Sequence, residues 1–558
     1  MKRQSLFILG FVAVMGLALS LRVGNLGARP MHADEGNNTI IFQELYETGR
    51  YIYSPLDHHG PSLYYVTLPF VWMSGAADFN STDEATYRAV SVACGLLLIA
   101  MLWLVCDGLG RPALNMAAAL LAVSPAFVFY NRYYIHEPLL LVFNFGLLAA
   151  GWRYAMRPHI GWAIVAGLCA GLSFATKETC VILWTAMTLG AVVVWYIERR
   201  AAMKAAVPAT VGTAVHASST IINPSHDNTP ANALTSRPLP SIDWRHLVAA
   251  AVAALVPVVL LFSAFFRHPR GIVDSFLSYF NYAQRAQGAG HEAPWYTYLK
   301  LLAYFHRKEE VLRAPIWSEG LILGLAIIGA VVAATGCWLS PMHRRFARFI
   351  LVYTLFTTAV FAAIPYKTPW NVLPFFQGMI LLAGIGVAAL MARAALLPRI
   401  ALAVALAFGL IHLRNQAVLA NSERYFASRA NPYVYAHTTT DTVRHLVPFV
   451  ERLAAAAPDN QPFIIQIYCD NAWPLPWYLR RFKHVGYGTQ QKLHPRASLI
   501  LVELSRHDDL AQWQKKLGND WRNPGSYTLR PNVFLTAFVR EELFQAMLNL
   551  PADPAAAK

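Results

Sequence analysis

Ser5-Leu-Phe-Ile-Leu-Gly10-Phe-Val-Ala-Val-Met15-Gly-Leu-Ala-Leu-Ser20-Leu21, preceded by Lys2-Arg3 and followed shortly by Met31-His32-Ala33-Asp34-Glu35-Gly36, is the stretch that decides the fold. The apolar run is close to the ~20 residues that a helix needs to cross the hydrocarbon core of a bilayer. A cleaved secretory leader is shorter and ends in a small-residue site. Gly24-Asn25-Leu26-Gly27-Ala28 is a poor one and further apolar runs follow, so the first helix is expected to be retained. The adjacent carboxylates Asp34 and Glu35 then lie just beyond a membrane-spanning segment, where charge is costly to keep without a task.

Outward from this stretch the pattern repeats. The chain has 558 residues, of which 56% are hydrophobic and only 14% charged. Apolar runs fall near 5–22, 89–106, 113–130, 138–154, 160–176, 179–197, 247–266, 318–339, 349–365, 372–392 and 400–416. The expected fold class is therefore an α-helical polytopic membrane protein with about eleven transmembrane helices. The segment from Pro61 to Gly75 is apolar but short, and counting it as a span would invert every later loop. It is expected to lie along the interface in the first outer loop, with Tyr64, Tyr65 and Trp72 at headgroup level.

The net charge of +15 does not mark a nucleic-acid binder, because the cations sit in short connections between apolar runs and form no stripe. Lys2-Arg3, Arg111, Arg153 with Arg157, Arg199-Arg200 through Arg245, Arg344-Arg345 with Arg348, and Arg393 with Arg399 all fall on one side. By the positive-inside rule that side is cytoplasmic. The expected location is the inner (plasma) membrane, multi-pass, with a cytoplasmic N-terminus and an extracytoplasmic tail. Of the six cysteines, only Cys469 falls in the polar tail, so neither a disulfide framework nor redox chemistry is implied.

Two domains are expected, residues 1–416 in the membrane and 417–558 outside it. The tail has a helical run at Asp441 to Leu453, strand-like runs at Pro462 to Tyr468 and Ser498 to Leu504, and a helix near Asp509 to Leu517. Together they read as a small α/β domain of about 140 residues. Trp473-Pro-Leu-Pro-Trp477-Tyr478 reads as part of that domain's core. Residues 201–244, rich in Ala, Thr, Ser, Asn and Pro, read as a flexible cytoplasmic linker.

With sides assigned by the arginines alone, the unusual polar motifs gather on the outer face. They are His32-Ala33-Asp34-Glu35, Asp57-His58-His59-Gly60-Pro61, Arg132 with His136-Glu137, Thr176-Lys177-Glu178, His291-Glu292, and Tyr366-Lys367-Thr368-Pro369-Trp370. Acids, histidines and lysines meeting at helix ends line a cavity open to both a lipid-borne and a water-borne reactant. A carboxylate there accepts a proton from an acceptor hydroxyl or holds a divalent cation. A lysine binds phosphate as a point charge.

Structural readings stand beside these. Asp34 is well placed to cap a helix from Asn37 to Glu47, Glu137 to pair with Arg132, and Lys177 and Lys367 to snorkel to the headgroups. His58, His59, His32, Asp34 and His136 have the ligand types of a metal site but match no compact metal spacing, so no cofactor is assigned and a divalent cation stays open. His291-Glu292 lies in a loop with the length of a mobile lid.

This set of motifs resembles the GT-C superfamily of integral membrane glycosyltransferases over roughly residues 1–400. The likeness is greatest to the protein O-mannosyltransferase-like and lipid A aminoarabinose transferase-like branch, and to a prokaryotic subgroup whose archaeal members are linked to N-glycosylation and lipid-sugar flipping. The parts that carry it are the acidic pair Asp34-Glu35, the interfacial segment opened by His58-His59-Gly60-Pro61, the Arg132 to Glu137 element, Thr176-Lys177, and Tyr366 to Trp370. The resemblance implies an inverting transfer of a sugar from a polyprenyl-phosphate carrier to a lipid, glycan or protein acceptor outside the cytoplasm. It implies catalytic roles for Asp34, Glu35 and Glu137, with Asp34 the preferred base, and substrate binding by His58, His59, Arg132, His136, Lys177, Lys367 and Trp370. A lipid-linked sugar flippase or a flippase-associated scaffold is the alternative; such a transporter calls for mid-membrane charges and inverted repeats, and neither is evident.

Overall fold

The computed structural model describes residues 2–206, 243–285, 290, 292–307, 314–504 and 507–551. Most of the linker expected at 201–244 and His291 of the lid motif lie outside the described residues. The linker's first residues belong instead to the helix Cys180–Ala206.

Among the described residues, eight helices are long and apolar enough to cross a membrane, from Gln4–Val23 to Leu396–Ala420. Three shorter apolar helices, Arg111–Val123, Ile160–Phe174 and Gly320–Thr335, complete the correspondence with the eleven expected runs. The run expected at 113–130 is broken. Ser124 leaves the helical region (φ −55°, ψ 121°) before Pro125, and a second short helix follows over Pro125–Tyr130. A residue before proline is pushed out of the α region by the pyrrolidine ring, which is why an unbroken apolar pattern did not make an unbroken helix.

Helices pack closely where side chains are small. The backbone of Gly329 lies against the carbonyl of Leu382 with no room for a Cβ, joining Gly320–Thr335 to Leu373–Arg393.

The polar ends of the helices meet in two separate groups. Arg153 pairs with Asp107 at 2.7 Å, Arg345 with Glu198 at 2.8 Å, and Tyr154 hydrogen-bonds His246 at 3.0 Å. These contacts join the arginine-rich connections to one another. The acid- and histidine-bearing ends form the second group, described below.

The connection after the first long helix, expected to be the first outer loop, holds two helices, Ala33–Thr48 and Ser62–Ser74. Trp72 is exposed, as an interfacial anchor is expected to be, but Tyr64 is fully buried and its hydroxyl donates to Asn38 Oδ1 at 3.2 Å. Tyr64 thus serves the protein interior and not the headgroup layer.

Beyond the last long helix the chain forms a five-stranded sheet: β1 (Ile464–Tyr468), β2 (His484–Tyr487), β3 (Leu499–Glu503), β4 (Trp521–Arg530) and β5 (Val533–Arg540), in the order β2-β1-β3-β5-β4. β1 runs parallel to β2 and β3, whereas β5 is antiparallel to β3 and β4. Alternation along β3 sends Leu499 and Leu501 to one face, under the helices Val447–Ala456 and Glu541–Leu548, and Ile500 and Val502 to the other, beneath His507–Leu517. Trp477 is not in this core. It is fully buried among Phe79 and Tyr87 of the membrane part, and its indole donates to Glu84 at 3.0 Å.

Candidate active site

His32, in extended backbone, is the N-cap of the helix Ala33–Thr48. Its Nδ1 accepts from the Asp34 amide at 3.1 Å, and Glu35 Oε2 accepts from the His32 amide at 3.0 Å. This reciprocal arrangement satisfies the backbone N–H groups of His32 and Asp34 without using the Asp34 side chain, so Asp34 does not act as the cap. Its side chain is 52% exposed and faces the cavity.

Glu35, the next residue, points the other way. It is fully buried and accepts from Arg88 Nε at 2.8 Å, Arg88 Nη2 at 2.9 Å and the Tyr134 amide at 3.0 Å. Burial alone raises its pKa, but the guanidiniums of Arg88 and Arg29 win and hold it down to about 2.

A second strand of the site is built by backbone pairing across 114 residues. Gly60 N–H donates to the Thr176 carbonyl at 3.1 Å, Ser62 N–H to the Ala175 carbonyl at 2.9 Å, and the Ser62 and Thr176 hydroxyls meet at 2.7 Å. Gly60 is pressed so closely on Ala175 that any side chain would strike its carbonyl. This seam sets His59 beside Glu178, with Nδ1 and Oε2 2.8 Å apart. The His59 ring stacks on Tyr282 and lies edge-on to His136, each at 5.1 Å between centroids.

On the next residue of the seam, Lys177 forms a short buried ion pair with Glu137. Burial lowers the lysine's pKa, but the carboxylate beside it more than offsets this and the net shift is upward. Glu137 therefore pairs with Lys177 and not with Arg132.

These elements enclose a cavity of about 460 Å³ lined by Asp34, Asp57, His59, His136, Glu137, Lys177, Glu178 and Trp370, among others. It brings together six of the ten residues singled out in the sequence. The other four are absent from the lining. Glu35 is held by Arg88. His58 Nδ1 accepts from the Ser54 amide at 3.3 Å. Arg132 donates to the carbonyls of Leu21, Arg22 and Asn25. Lys367 donates to the carbonyls of Phe361, Ala362 and Ile364 at the end of the helix Pro341–Ala363, a cation satisfying free helix-end carbonyls.

Sequence reasoning missed Asn37 and Asn38, which line the cavity three and four residues after Asp34 on one helix face. That spacing was a readable signal. It also missed Tyr279 and Tyr282, one turn apart on the helix Arg270–Arg285. Among the described residues no three His, Cys, Asp or Glu side chains converge as metal ligands. The buried Nε2 of His136 has no hydrogen-bond partner among the described residues.

The chain is similar to ArnT from Cupriavidus metallidurans in its apo state, with 15% identity and a TM-score of 0.58 over 96% of this chain and 98% of that one. The two chains share a fold over nearly their whole lengths. The same relative bound to undecaprenyl phosphate matches at 13% identity, with a TM-score of 0.57 over 95% of this chain and 98% of that one. An oligosaccharyltransferase from Archaeoglobus fulgidus in complex with zinc and sulfate gives 12% identity and a TM-score of 0.48 over 88% and 68% of the two chains. Residues 69–221 match the family model described as dolichyl-phosphate-mannose-protein mannosyltransferase. No curated protein sequence matches the chain.

Proposed function

We propose that this chain is a membrane glycosyltransferase of the GT-C type, an inverting enzyme that moves a sugar from a polyprenyl-phosphate carrier to an acceptor on the extracytoplasmic side of the inner membrane. The observation that carries the reading is the cavity itself: an accessible carboxylate, Asp34, shares one pocket with the Glu137–Lys177 pair and the His59–Glu178 pair. Convergence of titratable groups from four distant parts of the chain on one concavity is the signature of a site for chemistry. The likeness to a fold solved with undecaprenyl phosphate bound supports a lipid-phosphate carrier.

In this reading the acceptor O–H gives its proton to the Asp34 carboxylate as its oxygen attacks the anomeric carbon. The C–O bond to the carrier phosphate breaks, and its electron pair leaves on the phosphate oxygen. Lys177, the cation in the cavity wall, stabilises the departing phosphate, and Glu137 holds the ammonium in place. Glu35 orients the helix end that carries Asp34 but does not touch substrate. Lys367 and Arg132 are excluded from phosphate binding by their bonds to carbonyls. The N-terminus is cytoplasmic and the sheet-bearing tail extracytoplasmic, which sets the cavity on the side away from nucleotide sugars and explains the use of a lipid carrier.

The test is incubation of the purified protein with a panel of polyprenyl-phosphate sugars, measuring released polyprenyl phosphate. Release that depends on Asp34 supports transfer. Passage of intact lipid-linked sugar across vesicles without release overturns it in favour of a flippase.

A further inference from the structure

The residues beyond 420 reach into the wall of the site at one point. Met31, immediately before the N-cap His32, is fully buried, and both of its backbone groups are satisfied from the tail. Its N–H donates to the Tyr478 hydroxyl at 2.7 Å, and its carbonyl accepts from the Thr438 hydroxyl at 2.6 Å. The His437 ring stands 5.0 Å from that of His32, and the Tyr435 ring 5.9 Å from that of Trp370 in the cavity wall. Pro474 closes against Gly36 so tightly that a Cβ there would collide.

We propose that Thr438 and Tyr478 are positioning residues of the active site, clamping the Met31 peptide so that the turn 31–35 presents the Asp34 carboxylate to the cavity in one fixed orientation. The inference rests on the reading of Asp34 as the base. Arg88 fixes the same turn from the membrane side through Glu35, so the turn is held between two bodies of the molecule. Asp34 is the exposed member of an otherwise mostly buried turn, and His32 Nδ1, 3.9 Å from its carboxylate, is too far to fix it by a hydrogen bond. Its aim is inherited from the backbone, and small misplacements of a catalytic group carry rate penalties far larger than their structural size. The tail then works as the second jaw of the site.

The experiment uses the full-length protein and three variants, Thr438→Val, Thr438→Ser and Tyr478→Phe. Thermal unfolding first establishes that each variant is folded. With the carrier-linked sugar that supports turnover, Thr438→Val and Tyr478→Phe are expected to lower kcat by about 10- to 100-fold while KM for that donor moves by less than about threefold. Thr438→Ser, which keeps the hydroxyl, is expected to restore kcat. Wild-type kcat in both hydroxyl-less variants, or a change confined to KM, overturns the proposal. Amide hydrogen exchange read over residues 31–36 separates this outcome from failure of the transferase reading. Should no polyprenyl-phosphate sugar be turned over by wild type, faster exchange confined to this turn in both variants upholds the clamp, and unchanged exchange overturns it.

Discussion

Asp34 and Glu35 are neighbours of the same chemical type with opposite situations, and the difference lies in what faces them. Asp34 looks into the cavity from the first turn of a helix, whereas Glu35 is sealed between Arg88 and backbone amides. Asp34→Asn is expected to lower polyprenyl-phosphate release by about 10²- to 10⁴-fold, the usual worth of a positioned general base, with the melting temperature nearly unchanged. Glu35→Gln is expected to act first on stability. It leaves the fully buried Arg88 without its counter-charge and costs about 3–5 kcal/mol of stability, read as a fall in the unfolding temperature. The pH dependence follows from the same pair. Glu35 has a folded pKa held down to about 2 against an ordinary value of 4.5, so its ionisation stabilises the fold above that ordinary value. That contribution is lost as pH falls from 4.5 toward 2. A stability-versus-pH curve of wild type is expected to fall through this window, and that of Glu35→Gln to lose the part due to this group. The acidic pair was legible as a pair. Its division of labour was not, because the residue that decides it, Arg88, is 53 positions away, just before the apolar run read at 89–106.

At the scale of elements, the seam between residues 60–62 and 175–176 turns two loops into one wall of the site. Gly60→Ala is expected to destabilise by about 1–3 kcal/mol, since the new methyl must displace the Ala175 backbone, and to part His59 from Glu178. Thermal unfolding measures the first effect. Loss of activity larger than that seen with His59→Ala alone measures the second. The eleven apolar runs were readable because burial in lipid demands continuous hydrophobicity, a signal that needs no knowledge of neighbours. The tail was only partly readable. Its parallel strands Ile464–Tyr468 and Leu499–Glu503 are buried apolar runs, but Trp521–Arg530 passes through Asn523-Pro524-Gly525, a turn-like sequence. The structure absorbs it as a shift of register against Val533–Arg540 between Arg522 and Gly525. Lys177 and Lys367 show the same boundary. Both were legible as lysines at helix ends, and only the fold tells that one meets a carboxylate and the other a ring of carbonyls.

For the whole molecule the question is which end faces the cytoplasm. The arginine bias gives one answer from composition. The structure supplies a second, independent regularity: the connections assigned inside by that bias touch one another through Asp107–Arg153, Tyr154–His246 and Glu198–Arg345, while His59–Glu178, Glu137–Lys177 and the Met31 clamp all meet at the other group of helix ends. A wrong count of spans would have mixed the two groups, because one extra crossing exchanges the sides of every later loop. Orientation is then a single binary choice for the entire chain, and one experiment decides it. Cys337 is exposed in the connection between Gly320–Thr335 and Pro341–Ala363, and Thr489 is exposed in the tail. A membrane-impermeant maleimide applied to intact cells is expected to label a Thr489→Cys variant in which Cys337 is replaced by alanine, and to leave wild-type Cys337 unlabelled until the membrane is opened. The reverse pattern would place the cavity in the cytoplasm. There soluble nucleotide sugars are at hand, and the case for a lipid-carried donor would lose its physical ground.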